Sequence, residues 1–164
     1  MPNTNVFTGA DGSISLAPGV GPEGTKASEV IEAYEMFTVG RVQDVKVTVQ
    51  SDIKVFHEIG QRYGTEIRPG NIHISGTIGR AYINGALLKL LLGEAAASRP
   101  AGSWAQPTFN ITLLLTSAAV PDVRNTLTLY DVKFSSWTYM MPEDDFLLEA
   151  VSFQALYLSV QDEP

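Results

Sequence analysis

The sequence contains no cysteine, which removes disulfides, thiolate nucleophiles and cysteine-based zinc sites together. Charge is scarce as well: acidic and basic residues make up 18% of the 164 residues, below the usual quarter. Histidine occurs twice, as His57 and His73, and neither sits in the HxH, HExxH or HxxE spacing that a metal site favours. Both read as structural or surface side chains, and no metal or other cofactor is expected. The longest apolar runs, such as Leu87–Leu92 with Lys89 inside it, fall far short of the ~20 residues that span a bilayer. The opening MPNTNVFTGADGS has neither the basic nor the apolar region of a signal peptide. A soluble chain without membrane insertion is expected.

Catalytic patterns are missing too. Ser13, Ser75 and Ser152 lack a GxSxG context. The glycines of GTIGRAYING lack both the GxGxxG fingerprint and the P-loop lysine. Glu143-Asp144-Asp145 is a candidate Ca²⁺ ligand group, but three acids in a turn are more simply a solvated surface. Trp104 and Trp137 have no interleaved basic residues that would suit base stacking. These absences argue against an enzyme.

What is present is β-rich. Hydrophobic residues make up 45% of the chain, enough for a real core in one domain spanning 1–164. Residues 1–12 read as a flexible polar arm and 161–164 as a polar tail. Ile14 and Leu16 alternate with serines, predicting a first strand, and Pro18 to Gly24 predicts a loop. Over 28–37, Val30, Ile31, Tyr34 and Phe37 fit a helix with Ser28 as N-cap, while Ile31, Ala33 and Phe37 fit a strand. A hairpin with the next segment favours the strand. Val45, Val47 and Val49 predict a clear strand, Ser51-Asp52 a turn candidate, and Pro69-Gly70 a strong turn. Ile72, Ile74 and Ile78 line one face of a further strand.

From about Ile83 to Leu92 the residues are strong helix formers ending at Gly93, predicting a helix. It is apolar all round except Lys89, so either it closes an open barrel mouth or a neighbouring subunit covers it. Residues 95–107 read as a surface loop, and Phe109 to Thr116 as a strand. Leu127 and Leu129 are out of phase with Val132 and Phe134, which places a β-bulge at Tyr130-Asp131. The last segment, 146–160, has apolar residues on both faces, Leu156, Leu158 and Val160 forming the second. A strand apolar on both faces implies an outside cover. Six to eight strands and one short helix predict a mainly β fold, an antiparallel sandwich or partly closed barrel of two sheets with one flanking helix.

The run HEIGQRYGTEIRPGNIHISGTIGRAYINGALLKLLLGE, followed by LTLYDVKFSSWTYMMPEDDFLLEAVSFQALYLSV, resembles the tail tube proteins of long-tailed viruses with double-stranded DNA, particularly those with contractile tails. VFTGADGSISLA is similar to their N-terminal arm and first strand. The resemblance covers Val6 to Val160. It implies a structural virion protein, made in the host cytoplasm and located in the tail, whose six copies form a ring and whose rings stack into a tube. The resemblance further implies that viral DNA passes through the tube without specific binding. Tail sheath, baseplate or adaptor, and tape-measure proteins are the implied partners. Leu87, Leu88, Leu91, Leu156, Leu158 and Val160 become the candidate subunit interface. Tube bores of this family tend to be electronegative, so the net charge of −7, about −42 for six copies, implies a lining that repels DNA. Tubes and adaptor rings of related injection and secretion devices remain an alternative. A small-ligand β-barrel is a further one, although the sequence lacks the convergent polar set that such a pocket needs.

Overall fold

The computed structural model describes residues 6–117 and 119–163. Seven strands form one antiparallel sheet: β1 (Gly12–Pro18), β2 (Val42–Phe56), β3 (Glu66–Ala81), β4 (Phe109–Ser117), β5 (Val120–Met140), β6 (Leu148–Ala155) and β7 (Tyr157–Glu163). Two helices accompany them, α1 (Gly21–Ala33) and α2 (Ala86–Leu92), with 3-10 turns at Gly9–Asp11 and Gly93–Ala96. The strand order is β1-β4-β5-β6-β3-β2, and β7 also pairs with β5.

The long strand β5 belongs to both halves of this sheet. Its first part pairs with β4 and β7, and its second part pairs with β6. We call β1-β4-β5-β7 sheet I and β5-β6-β3-β2 sheet II. The change-over is the expected bulge. On β4, Phe109 to Ile111 is a step of two, while their partners Val132 and Leu129 are three apart. Asp131 takes up the extra residue with φ +55°, and its N–H donates to Asn110 Oδ1 at 3.1 Å. A short polar side chain tolerates that left-handed backbone where a bulky one is strained.

The same bend resolves the two-faced pattern of the last segment. Its strand breaks at Leu156, whose N–H donates to Tyr130 O at 3.1 Å opposite the bulge. Before the break Val151 and Phe153 point into the core, whereas after it Leu158 packs against the core. Much of what reads as a second apolar face is the same inner face continued after a change of phase.

Around the core, the two sheets fold toward each other and the helices close one side. Phe109, Phe134 and Phe153 are fully buried, with Phe109 and Phe134 edge to face at 4.8 Å. Residues 28–37 differ from the expected strand. They lie in and just beyond α1, because Gly24, Ala27 and Ile31 fall on one buried stripe while Ala33 and Phe37 are exposed. The helix begins inside the expected loop: Pro22 fits its first turn, and Ser28 is mid-helix, bonding Glu32 at 3.3 Å. Gly24 is required there, since a Cβ would meet Gly19 O at 2.1 Å. The fold therefore carries two short α-helices where one was expected.

The helix expected over 83–92 forms over Ala86–Leu92. Asn84 Oδ1 accepts the Ala86 N–H at 3.1 Å, so Asn84 supports the helix start and does not form a hairpin turn. Lys89, the single charge in α2, lies 5.1 Å over the Tyr34 ring and joins the two helices. At the chain ends, the expected arm lies partly outside the described residues at 1–5, and β7 takes in 161–163 of the expected polar tail.

Candidate assembly surface

Beyond the sandwich, β2 and β3 continue as a free hairpin. The pairing of β3 with β6 starts at Ile74, yet β2 and β3 stay paired as far as Phe56 and Glu66. Seven more residues of β2 and eight of β3, the extra one in the bulge, at ~3.3 Å per paired residue carry the arm ~23 Å outward before its turn. The sequence signals misplace this turn. Ser51-Asp52 lies inside β2, opposite a bulge at Gly70-Asn71 of β3, Pro69-Gly70 lies inside β3, and the chain reverses at 57–65. Proline is tolerated at 69 because β3 there has a partner on one side only.

The arm is amphipathic. Val55 faces Ile67 across the ladder and Ile53 faces Pro69, so these four share one face. Lys54, Glu66 and Arg68 belong to the charged side, with Arg68 paired to Glu66 at 2.5 Å. Ile53 is 64% exposed and Ile67 is 67% exposed. Ile59 and Tyr63, in the turn, are fully open to solvent. An apolar face of this extent on a free strand pair has no partner among the described residues, and such surfaces mark contacts with other proteins.

Two further surfaces complete the set. At the opposite end of sheet II, Trp137 stacks on Tyr139 at 5.4 Å and Tyr82 meets Tyr139 edge-on at 5.1 Å. Met140, Met141 and Phe146 stand exposed beside them. Where sheets I and II do not close, a groove of about 860 Å³ runs along Ile14, Val39, Val45, Val47, Leu113 and Leu127.

The six expected interface residues divide. Leu87 is fully buried in its own chain's core, and Leu88 and Leu91 are half-buried on α2. Leu158 is half-buried against the core. Leu156 and Val160 are open, at 80% and 66% exposed, and Val160 borders the groove. The arm was missed by reading Pro69-Gly70 as a turn, although the alternation of Ile53 and Val55 before the loop and of Ile67 after it carried the signal.

One buried polar group holds sheet II together. Arg80 Nε donates to Glu149 Oε1 at 2.6 Å, with both side chains essentially inaccessible. Glu149 Oε2 accepts the Trp137 indole N–H at 2.8 Å, and Arg80 also reaches Asn84 at 3.3 Å. Every buried side-chain polar atom among the described residues has a partner, so this network is saturated and has no group left over for chemistry. His73 pairs with Asp52 at 2.9 Å on the arm, away from His57. Glu143, Asp144 and Asp145 are exposed in the turn before β6. Among the described residues no cluster of three potential metal ligands forms, and no helix is long and apolar enough to cross a membrane.

The sequence matches no protein-family model and none of the curated proteins. The structure does find relatives. A chain of the sheath-tube complex of an extracellular contractile injection system, PVC, in its extended state superposes with a TM-score of 0.65 at 13% identity, covering 96% of this chain and 93% of that one. The SPP1 tail tube gives 0.59 at 12% identity over 96% and 80%. A chain of a native gene transfer agent virion gives 0.55 at 11% identity over 95% and 99%. The curled sheet, the two short helices and nearly full-length superposition agree: this chain has the fold of tail tube proteins.

Proposed function

We propose that the protein is a non-enzymatic tube subunit, the building block of a viral tail, that assembles into six-membered rings stacked into a hollow tube. The exposed amphipathic arm carries this reading. It lies at one end of sheet II and the Tyr82–Tyr139–Met140 surface at the other, so a head-to-tail contact between copies buries both. A contact between two different surfaces repeats without end unless it closes into a ring, and such heterologous contacts build filaments. Leu156 and Val160 then belong to contacts between neighbours, with Leu88 and Leu91 as further candidates. Viral DNA would travel through the tube during ejection. Sheath, baseplate or adaptor, and tape-measure proteins would be the partners outside and inside it, and the protein's place would be the tail of the virion.

The likeness to an injection-system chain supports a second reading, in which the same tube belongs to a contractile injection apparatus. Both readings share the self-assembly test. Negative-stain electron microscopy of the concentrated protein is expected to show six-fold rings or tubes. A monodisperse monomer at high concentration would refute both.

A further inference from the structure

Sulfur occurs in this chain only as methionine, in four residues, with no cysteine. Met1 lies outside the described residues, and the other three divide. Met36 is 4% exposed and packed in the core after α1. Met140 and Met141, at and just past the end of β5, are each 67% exposed. Oxidation of sulfur follows accessibility, so a peroxide in solution reaches these two adjacent thioethers and not the buried one.

The two sulfurs stand where the assembly reading needs an apolar surface. They follow directly after the Trp137–Tyr139 stack, to which Tyr82 adds its ring edge-on. Met140 pairs with Leu148 in the β5–β6 ladder, and Leu148 and Phe146 are both exposed. The turn that follows carries Glu143, Asp144 and Asp145, whose carboxylates accept hydrogen bonds and donate none. The surface that would come against this one is the apolar side of a neighbour's arm, where Ile53, Val55, Ile67 and Pro69 present only carbon. Oxidation turns a flexible apolar side chain into a polar one whose oxygen wants a donor. Inside such a contact that oxygen loses its water and meets carboxylates and hydrocarbon, the costly case for a covered polar group.

Resting on the tube reading above, we propose that Met140 and Met141 form an oxidation site for hydrogen peroxide, and that sulfoxide there blocks the addition of one subunit to the next. The sulfur lone pair attacks one peroxide oxygen, and the S–O bond forms as the O–O bond breaks. The other oxygen departs as hydroxide, takes the proton from the transferred OH and ends as water. Sulfur loses two electrons and the peroxide gains them. The monomer's fold is untouched, since neither side chain belongs to the core, and methionine sulfoxide reductases reverse the change. Subunits already assembled are protected, because the contact covers the sulfurs.

Dilute protein is treated with hydrogen peroxide, mapped by peptide mass spectrometry and then concentrated for sedimentation. One added oxygen is expected on each of Met140 and Met141 and none on Met36, with an unchanged circular dichroism spectrum. The concentration needed for assembly is expected to rise about tenfold or more, the factor that the lost apolar burial of one methionine represents. Reductases of both stereospecificities should restore it. Met140→Leu with Met141→Leu, a volume-conserving change, should assemble like the parent and ignore peroxide, while Met36→Leu stays sensitive. Preformed tubes should be oxidised at 140 and 141 several-fold more slowly than free subunits. Unchanged assembly of the doubly oxidised protein, a double variant that still loses assembly on treatment, or equal rates in tubes and subunits would each overturn the proposal. Should the double variant not assemble untreated, the reductases decide: recovery supports the site and its failure overturns it. If the untreated parent forms no rings or tubes, the tube reading itself fails, an outcome distinct from a wrongly assigned oxidation site.

Discussion

Glu149→Gln is expected to be among the most damaging conservative changes in the protein. The substitution keeps the shape of the side chain but removes the charge facing Arg80, whose side chain is 2% exposed. The guanidinium loses its counter-charge, and the single carbonyl oxygen of the amide can take over the bond to Arg80 or to Trp137 but not both, with Asn84 at 3.3 Å the other polar partner of Arg80. Breaking a buried ion pair from one side costs roughly 3–5 kcal/mol, because the remaining charge has lost its compensation away from water. The new amide also presents N–H groups where the Trp137 indole N–H or Arg80 requires an acceptor, so the upper part of that range is not needed to see the effect. With a urea slope of about 2 kcal/mol per molar, a loss of 3 kcal/mol moves the midpoint down by about 1.5 M. Urea unfolding of dilute protein, followed by tryptophan fluorescence and by circular dichroism, measures this shift. Arg80→Met combined with Glu149→Met is expected to return to within about 1 kcal/mol of the parent, since it removes both charges and fills the space with apolar atoms. A midpoint shift below about 0.3 M for the single variant, or a double variant no better than the single, would refute the reasoning.

Replacing Ile53 and Ile67 together by Asp is expected to abolish tube formation while leaving the monomer's urea midpoint unchanged within error, as both side chains are about two-thirds exposed; sedimentation and microscopy report the first, circular dichroism the second. Leu156→Asp should act in the same direction, weakening assembly more than folding, and normal polymerisation would remove Leu156 from the contact. Gly76→Ala attacks the core instead: a Cβ there would sit 2.2 Å from Lys46 O and 2.5 Å from the Phe153 ring, so a loss of about 1–3 kcal/mol is expected in thermal or urea unfolding. Glu23 has its carboxyl held below its ordinary value of 4.5 by the Lys133 and Thr108 hydrogen bonds. Its stabilisation is present above pH 4.5 and fades as pH falls through the lower folded value. Glu23→Gln should flatten that acid limb, and because the pair is nearly half exposed the effect in a pH series of unfolding midpoints stays below about 1 kcal/mol.

The parts of the fold that were legible in the sequence are those where one local rule acts alone. The Asp131 bulge shows as a broken period, since a one-residue insertion moves every following side chain to the other face. Period-two alternation likewise placed Val45 and Val47 of β2 and Ile74 and Ile78 of β3 on the core side, whereas Val49 and Ile72, expected on the same buried face, are exposed where the arm leaves the sandwich. The α1 helix was hidden because its buried stripe uses Gly24 and Ala27, which carry little hydrophobic signal. Close approach to Gly19, a tertiary fact, selects those small residues. The arm was hidden by Pro69-Gly70, whose turn chemistry is strong in isolation and is overridden by a two-stranded ladder. Leu156, Leu158 and Val160 read together as a second face because the residue pattern records a change of phase and a second apolar face in the same way; Leu158 packs against the core, while Leu156 and Val160 are open. Of the candidate contact residues, Leu156 and Val160 stand exposed while Leu87 went into the core, since exposure depends on where helices and sheets meet.

Because β5 threads both halves of the sheet without interruption, neither half is a separable mechanical part. Sheet I without β5 is two strands and a detached edge, and sheet II without it loses the border to which α2 is fastened. Pulling on one half loads the same backbone that anchors the other, along a row of ladder bonds sheared together and not peeled one at a time. The two halves should therefore yield in a single event, and a subunit strained along the axis of β5 should respond as one spring instead of two in series.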